Sequence, residues 1–375
     1  MKPKVIHIIS DLGSGGAERS LFKLAESNLT DTYDFSVICL KGEGMYSQKL
    51  RYLGINVIAL NLNYFNFPFK LFTLAICLYK ERPQIIQGWM YHGNIAALIG
   101  KYMLFATPKL VWNIRHSLHS IKYEKKMTQT IIYINKVFSQ AANLIIYNSA
   151  NSLAQHNKYG FAKSLTFVIE NGFDETIKLN IMARNELRDR HKYAESTVVI
   201  GHVARFHPMK GHAVFVKAAL TILEINPCVE ILMIGRNIDW NNADLVTQIP
   251  KDYHHRFTLL GEVDDAAQFM NAMDIFTLSS LWGEGFPNVL GEAMLLKIPC
   301  IANNIGGCDE IMGDTGILVD MPCSIDKWSA HLNNCISMSL EERNAFGKRG
   351  RDRVIASFSM DRTQSMYDQV YKQFS

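Results

Sequence analysis

The sequence predicts an α/β protein built from two doubly wound, parallel-sheet domains. Three observations lead there. Short apolar, β-branched runs alternate with longer helical patterns along the chain. The runs are continuously apolar rather than alternating, which is how strands covered on both faces read. The alternation pauses once, in a polar and charged stretch at 174–196, and then resumes. A chain of 375 residues has length for two separate cores.

The first series of runs covers 5–9, 35–40, 56–60, 84–87, 110–114, 144–147 and 166–169. Helical patterns lie between most of them, for example over 16–29 and 93–104. The second series covers 198–204, 230–234, 257–260, 274–278, 299–302 and 316–319. The polar stretch between the series holds Arg184, Asn185, Glu186, Arg188, Asp189, Arg190, His191 and Lys192. A boundary there gives a first domain over 1–180 and a second over 190–357. In such sheets, ligands bind beyond the carboxyl ends of the strands, so the chemistry is expected in the loops that follow strands.

Composition narrows the class. Hydrophobic residues make up 48% of the chain and charged residues 20%, which argues against disorder. The net charge of +4 hides an asymmetry: 24 basic against 14 acidic residues over 1–200, and 15 against 21 over 201–375. Residues 51–150 hold 11 basic and 2 acidic side chains, a face suited to an anionic partner or membrane surface. The seven cysteines are odd in number, widely spaced and without a Cys-x-x-Cys, as in a reducing cytoplasm. The N-terminus runs directly into a strand with no signal-peptide pattern. No apolar run reaches the ~18 residues that span a bilayer. There is no Asp-x-Asp triplet, no cluster with metal-ligand spacing, no Gly-x-Ser-x-Gly elbow and no P-loop.

The most informative segment is Glu284-Gly285-Phe286-Pro287-Asn288-Val289-Leu290-Gly291-Glu292. It follows a strand pattern, turns on glycine, and enters a helix whose first turn tolerates Pro287. The open N–H groups of a helix start attract an anion such as a diphosphate. Asn288 and Glu292 stand at i and i+4 and share a face. Carboxylates accept hydrogen bonds from hydroxyls. An anion site beside carboxylates therefore suits a ligand that is part phosphate and part polyol, as a nucleotide-sugar is. After the first strand of the second domain comes Gly201-His202-Val203-Ala204-Arg205-Phe206-His207-Pro208-Met209-Lys210-Gly211. Arg205 offers a fork of donors and Lys210 a point charge, both able to reach one diphosphate. After the first strand of the chain comes Ser10-Asp11-Leu12-Gly13-Ser14-Gly15-Gly16-Ala17-Glu18-Arg19. Its glycines allow close approach to a phosphate. Counted as G-x-G-x-x-G from Gly13, the third glycine position holds Glu18, so this is a poor dinucleotide fingerprint.

The pair Glu284 and Glu292 resembles the Glu-x7-Glu motif of retaining glycosyltransferases of the GT-B fold, particularly glycosyltransferase family 4. The Gly-Gly-Ala-Glu segment at 15–18 and the Arg205…Lys210-Gly211 element are similar to that family too, with Ala204 where it usually has glycine. The resemblance runs from Ile6 to the end of the chain and is more specific in the second domain. It implies a fold of two Rossmann-like domains facing a cleft, acceptor on the first and nucleotide-sugar donor on the second, with a C-terminal helix over 358–375 crossing back. It implies a metal-independent, retaining transferase using a UDP-sugar more often than a GDP-sugar, and no other cofactor. Arg205 and Lys210 stabilise the leaving diphosphate in that scheme, and Glu284 holds donor-sugar hydroxyls. The backbone of Gly285, Phe286, Pro287 and Asn288 assists, Glu292 binds the ribose, and Gly15 and Gly16 approach the phosphates. Arg236 and the backbone at Val263 border the nucleoside. His116, closing a strand, matches a histidine near the transferred sugar, and His92 stands at another strand end. Residues 170–174 resemble the family's junction turn.

Implied partners are the donor and a saccharide or lipid-linked saccharide acceptor, as in bacterial surface polysaccharide synthesis, and no nucleic acid. The segments 64–72 and 122–134 place basic residues beside aromatic and aliphatic ones, as peripheral contact with an anionic membrane from the cytoplasm requires. The rival readings are a sugar-nucleotide epimerase of the same architecture, a nicotinamide-dependent oxidoreductase and a non-catalytic nucleotide-binding subunit.

Overall fold

The computed structural model describes residues 2–63, 65–104, 108–163 and 165–374. The chain forms two compact units, Met1–Gly172 with Met360–Ser375, and Phe173–Ser359. The polar stretch at 174–196, which the sequence suggests as the junction, lies entirely in the second unit. Its helix Ile181–Arg190 is anchored there because Arg184 and Arg188 both pair with Asp274.

In the first unit the strands are β1 (Lys4–Ile9), β2 (Asp34–Cys39), β3 (Asn56–Ala59), β4 (Ile85–Trp89), β5 (Lys109–Ile114), β6 (Leu144–Tyr147) and β7 (Thr166–Val168). They pair in the order 3-2-1-4-5-6-7, all parallel. In the second unit they are β8 (Val198–Val203), β9 (Val229–Ile234), β10 (Phe257–Leu259), β11 (Ile275–Leu278), β12 (Cys300–Asn303) and β13 (Ile317–Val319). Their order is 10-9-8-11-12-13, again all parallel. Every strand expected from the sequence is present. Each is nearly continuous in apolar residues because helices cover both faces of each sheet.

In the first unit, helices Phe67–Glu81, Met90–Met103 and Lys126–Phe138 lie side by side on one face, burying Leu74, Leu78, Ala97 and Ile132. The other face carries helices Gly16–Ala25 and Met45–Tyr52, together with the C-terminal helix Met360–Lys372. That last helix does return to the first unit, as expected. Its docking is apolar through Val370 and polar through two buried tyrosines. The Tyr371 hydroxyl donates to Gln87 Oε1 (2.7 Å), and Asn113 Nδ2 donates to the Tyr367 hydroxyl (2.7 Å). In the second unit one core lies under helices Asn288–Leu295 and Leu340–Ser357, the other under His212–Ile225 and Ile325–Ser337. All seven cysteines are free thiols.

Two buried histidines of the first unit couple its stability to pH. The Trp89 indole N–H donates to His7 Nδ1 (3.1 Å). The Tyr91 hydroxyl and the Ser152 carbonyl hold His156 at 2.8 Å each. Burial lowers both rings from the ordinary 6.5 to about 3. The folded state thus binds fewer protons than the unfolded chain between those values. Stability is complete above about pH 6.5 and falls as pH drops towards 3, by about 1.4 kcal/mol per pH unit for each histidine. Denaturant midpoints for the unfolding of this unit should already decline between pH 6.5 and 5, above the carboxylate range. A flat midpoint there contradicts this account.

Candidate active site

Both sheets reverse their strand order at their first strand, between β1 and β4 and between β8 and β11. The loops leaving those strands diverge to opposite faces, and a crevice opens at the carboxyl edge. The sequence motifs fall on those loops.

In the second unit, the loop after β8 ends in the short turn Pro208–Lys210 and Gly211. Gly211 has φ +66°, and a Cβ on it would lie 2.1 Å from the Ser279 carbonyl oxygen. Only glycine lets this loop lie against the end of β11. The contact is then stitched by hydrogen bonds. The Leu281 N–H donates to the Met209 carbonyl (2.7 Å), and the Ser279 hydroxyl donates to the Lys210 carbonyl (3.0 Å). Asn303, buried at the end of β12, donates to the carbonyls of Ser279 (3.0 Å) and Ser280 (2.9 Å). Its own oxygen accepts from the Trp328 indole (3.0 Å).

This scaffold brings Lys210 and Glu284 together. Lys210 Nζ lies 2.5 Å from Glu284 Oε1, and the Ser280 hydroxyl donates to the same oxygen at 2.5 Å. Glu284 is buried and Lys210 half-buried, so this is a charge-assisted bond in a partly desolvated setting. Gly306 completes the loop. It has φ +56°, and a Cβ there would fall 1.6 Å from the Glu284 carbonyl oxygen. Arg205 is exposed on the same loop as Lys210 and forms no ion pair with the described residues.

The helix after the loop begins at Asn288, so Pro287 is its N-cap, with ψ 111°, rather than part of its first turn. The Phe286 ring packs against Phe173 and Phe358, which leaves only its backbone available to a ligand. Gly285 and Pro287 are buried, Asn288 is half-buried, and Glu292 is buried on the helix. Arg236, after β9, is engaged by Glu262, after β10, through two hydrogen bonds of 3.0 Å. Val263 packs against the core beside that pair.

In the first unit, glycine at the N-cap position 15 gives helix Gly16–Ala25 no side-chain cap, and the Glu18 carboxylate lies against it, with Oε2 2.1 Å from where a Cβ on Gly15 would stand. The preceding turn is held by Asp11, whose Oδ1 accepts from the Gly13 N–H (2.8 Å). His116 follows β5, with its Nε2 2.9 Å from Glu124 Oε1 and its carbonyl accepting from Ser152 (2.6 Å). The expected helix at 93–104 starts earlier, at Met90, so exposed His92 lies in its first turn. Loss of water around part of its ring, then the charge of Lys41, lower the pKa of His92 although much of its surface stays exposed. Among the described residues, no group of three or more His, Cys, Asp or Glu side chains could hold a metal ion.

Sequence reasoning missed Ser280, Asn303 and Trp328 as parts of this site. An asparagine closing an apolar strand was the available signal for Asn303. Trp328 reads as ordinary helix core and gave none.

Two family descriptions match the chain: glycosyltransferase family 4 over residues 14–176, and glycosyl transferases group 1 over 197–337. The chain is a family 4, group 1 glycosyltransferase. The curated relatives agree. A capsular polysaccharide biosynthesis glycosyltransferase, CapM of Staphylococcus aureus, is 27% identical over 329 residues, 81% of each chain. An Escherichia coli enzyme is 22% identical over 98% of this chain and 97% of its own. Its name is UDP-Gal:alpha-D-GlcNAc-diphosphoundecaprenol alpha-1,3-galactosyltransferase. Among solved structures, Anabaena HepE in complex with UDP-glucose superposes with a TM-score of 0.84 at 21% identity, covering 99% of both chains, which supports the GT-B fold.

For this glycosyltransferase, Gly306→Ala should force the Glu284 backbone aside. A displacement of about 1 Å costs up to ~100-fold in rate. We expect a loss of that order in glycosyl transfer with an unchanged far-ultraviolet circular dichroism spectrum. Wild-type turnover would show that the loop tolerates the shift.

Proposed function

We propose that this glycosyltransferase moves a sugar from a UDP-sugar to a saccharide or lipid-linked saccharide acceptor, with retention of configuration and without a metal. The observation that carries the reading is the meeting of Lys210 and Glu284 at the strand-order reversal of the second sheet. It sets a cation for phosphate beside a carboxylate for hydroxyls. UDP as donor base draws support from the E. coli relative's name and from the UDP-glucose bound to the Anabaena neighbour.

In this scheme Arg205 and Lys210 bind the diphosphate. Negative charge grows on it as the glycosidic bond breaks, and fixed donors then stabilise it more than in the ground state. The acceptor hydroxyl attacks the anomeric carbon on the face that the diphosphate leaves. The bonding pair stays with the phosphate oxygen, which takes the hydroxyl proton. Glu284 holds sugar hydroxyls, assisted by the backbone of Gly285, Phe286, Pro287 and Asn288. Glu292 binds the ribose, and Arg236 and Val263 border the base. Gly15 and Gly16 supply first-turn N–H groups to phosphate, and His116 contacts the sugar.

Calorimetric unfolding with UDP, GDP, ADP or NAD, each with a chelator, tests the donor. A ligand at ~100 times its dissociation constant adds about 2.7 kcal/mol. Stabilisation by UDP alone is expected. Stabilisation by NAD alone would overturn the transferase scheme. Lys210→Ala should lower turnover by about 10²–10³-fold, and release of UDP should require an added acceptor, unlike an epimerase.

Peripheral membrane contact belongs to the same reading. Phe69 (75% exposed), Phe72 (64%), Ile76 (55%) and Tyr79 (61%) form one outward stripe on helix Phe67–Glu81, with Lys70, Lys80 and Arg82 beside it. Tyr64 and the side chains of Phe67 and Pro68, from the same segment, lie outside the described residues. In the other segment, buried Ile132 faces the core, and Met127 and Tyr133 point outward. No described helix is long and apolar enough to cross a membrane. An apolar stripe with basic flanks suits an anionic bilayer surface. The protein should float with vesicles rich in anionic lipid and not with neutral ones, and Phe69→Glu with Phe72→Glu should abolish it. Equal flotation of the variant would remove this face from the account.

A further inference from the structure

The buried and half-buried arginines of this chain are mostly saturated. Arg184 and Arg188 share Asp274 and also donate to backbone carbonyls. Arg256 pairs with Glu230, and Arg353 donates to the carbonyls of Glu310 and Ile311. Arg115 differs. It stands immediately after β5, half-buried, with its guanidinium carbon 5.7 Å from the Trp89 ring centre. Its Nη1 donates to Asn113 Oδ1 (3.3 Å) and to the Tyr367 hydroxyl (3.2 Å). Both partners are neutral. Among the described residues no carboxylate pairs with Arg115, and its Nε and Nη2 have no acceptor. A guanidinium taken partly out of water without an anion is costly, which is why such groups are normally paired. Burial accordingly pulls its pKa below the ordinary value.

The surroundings hold this fork in place. Asn113 and Arg115 both reach the Tyr367 hydroxyl, so the C-terminal helix fixes one edge of the guanidinium. The Arg115 N–H lies 3.3 Å from Met90 Sδ, and Met90 adopts φ +60°, a left-handed conformation unusual outside glycine. Backbone strain of this sort gathers at ligand sites. The planar fork, with its second edge open, matches the oxygens of a phosphate.

We infer that Arg115 is an anion site for a phosphate group on the acceptor. The assignment to the acceptor rests on the reading above, in which Arg205 and Lys210 of the second unit serve the donor diphosphate. Arg115 lies in the first unit, next to His116, where it selects phosphorylated or diphosphate-linked acceptors over neutral ones.

Isothermal titration of the full chain tests this with farnesyl diphosphate as the probe and farnesol as its neutral counterpart, with and without saturating UDP. The UDP-loaded wild type should bind the diphosphate, and Arg115→Gln should weaken that binding at least tenfold. UDP affinity should stay within twofold and Arg115→Lys should be intermediate. A loss of UDP affinity instead would assign Arg115 to the donor. Unchanged affinity for both ligands would make it a strut for Tyr367. Absence of saturable diphosphate binding to the wild type would also overturn the inference. If the glutamine variant does not fold, phenylglyoxal labelling of the wild type decides: farnesyl diphosphate should protect Arg115 and UDP should not, and the reverse pattern refutes the assignment. Failure of the donor reading shows separately, as no binding of UDP at all.

Discussion

Everything at the Lys210–Glu284 site depends on the reversal of strand order at β8. A parallel strand leaves the sheet at its carboxyl end, and its crossover goes to one face or the other. The chain after β8 turns towards β9, and the chain after β11 turns the other way, towards β12. Two loops that start on neighbouring strands therefore part, and the end of the sheet between them stays uncovered by helix. Lys210 and Glu284 come from those two loops and are 74 residues apart in sequence. No local feature of the chain could join them without that reversal.

The reversal opens the site, and buried polar bonds keep its loops in register. The Ser279 hydroxyl, Asn303 and the Trp328 indole tie three elements behind the Lys210–Glu284 pair. Breaking such a network strands buried donors and acceptors, at about 1–3 kcal/mol for each group left unsatisfied. Glycine acts in the opposite sense. Gly211 and Gly306 contribute no side-chain contacts, but their lack of a Cβ lets backbone meet backbone at the site. A loop held this tightly can fix a carboxylate oxygen between an ammonium and a hydroxyl.

The two units treat charge differently. In the second, Asp274 neutralises Arg184 and Arg188, and the pair is consumed in anchoring the polar segment that sequence alone reads as a linker. In the first, the basic excess of residues 51–150 is spread over outward helix faces and Arg115. Charge in the second unit serves folding and the donor scheme.

Local pattern determined the elements. The apolar runs gave all thirteen strands of the described residues because parallel strands covered on both faces have little room for polar residues, as in the Val-Val-Ile of β8. The loop motifs were legible because glycine, proline and paired carboxylates carry their reasons in their own chemistry. The tertiary structure decided what those motifs touch. It paired Lys210 with Glu284, turned the Phe286 side chain into core, engaged Arg236 with Glu262, and recruited Asn303 and Trp328. It also left Arg115 beside Tyr367, 252 residues away in sequence. Sequence periodicity reports which face of an element is buried, because burial repeats with the turn of the backbone. A bond between distant loops has no period, so only the folded chain specifies it.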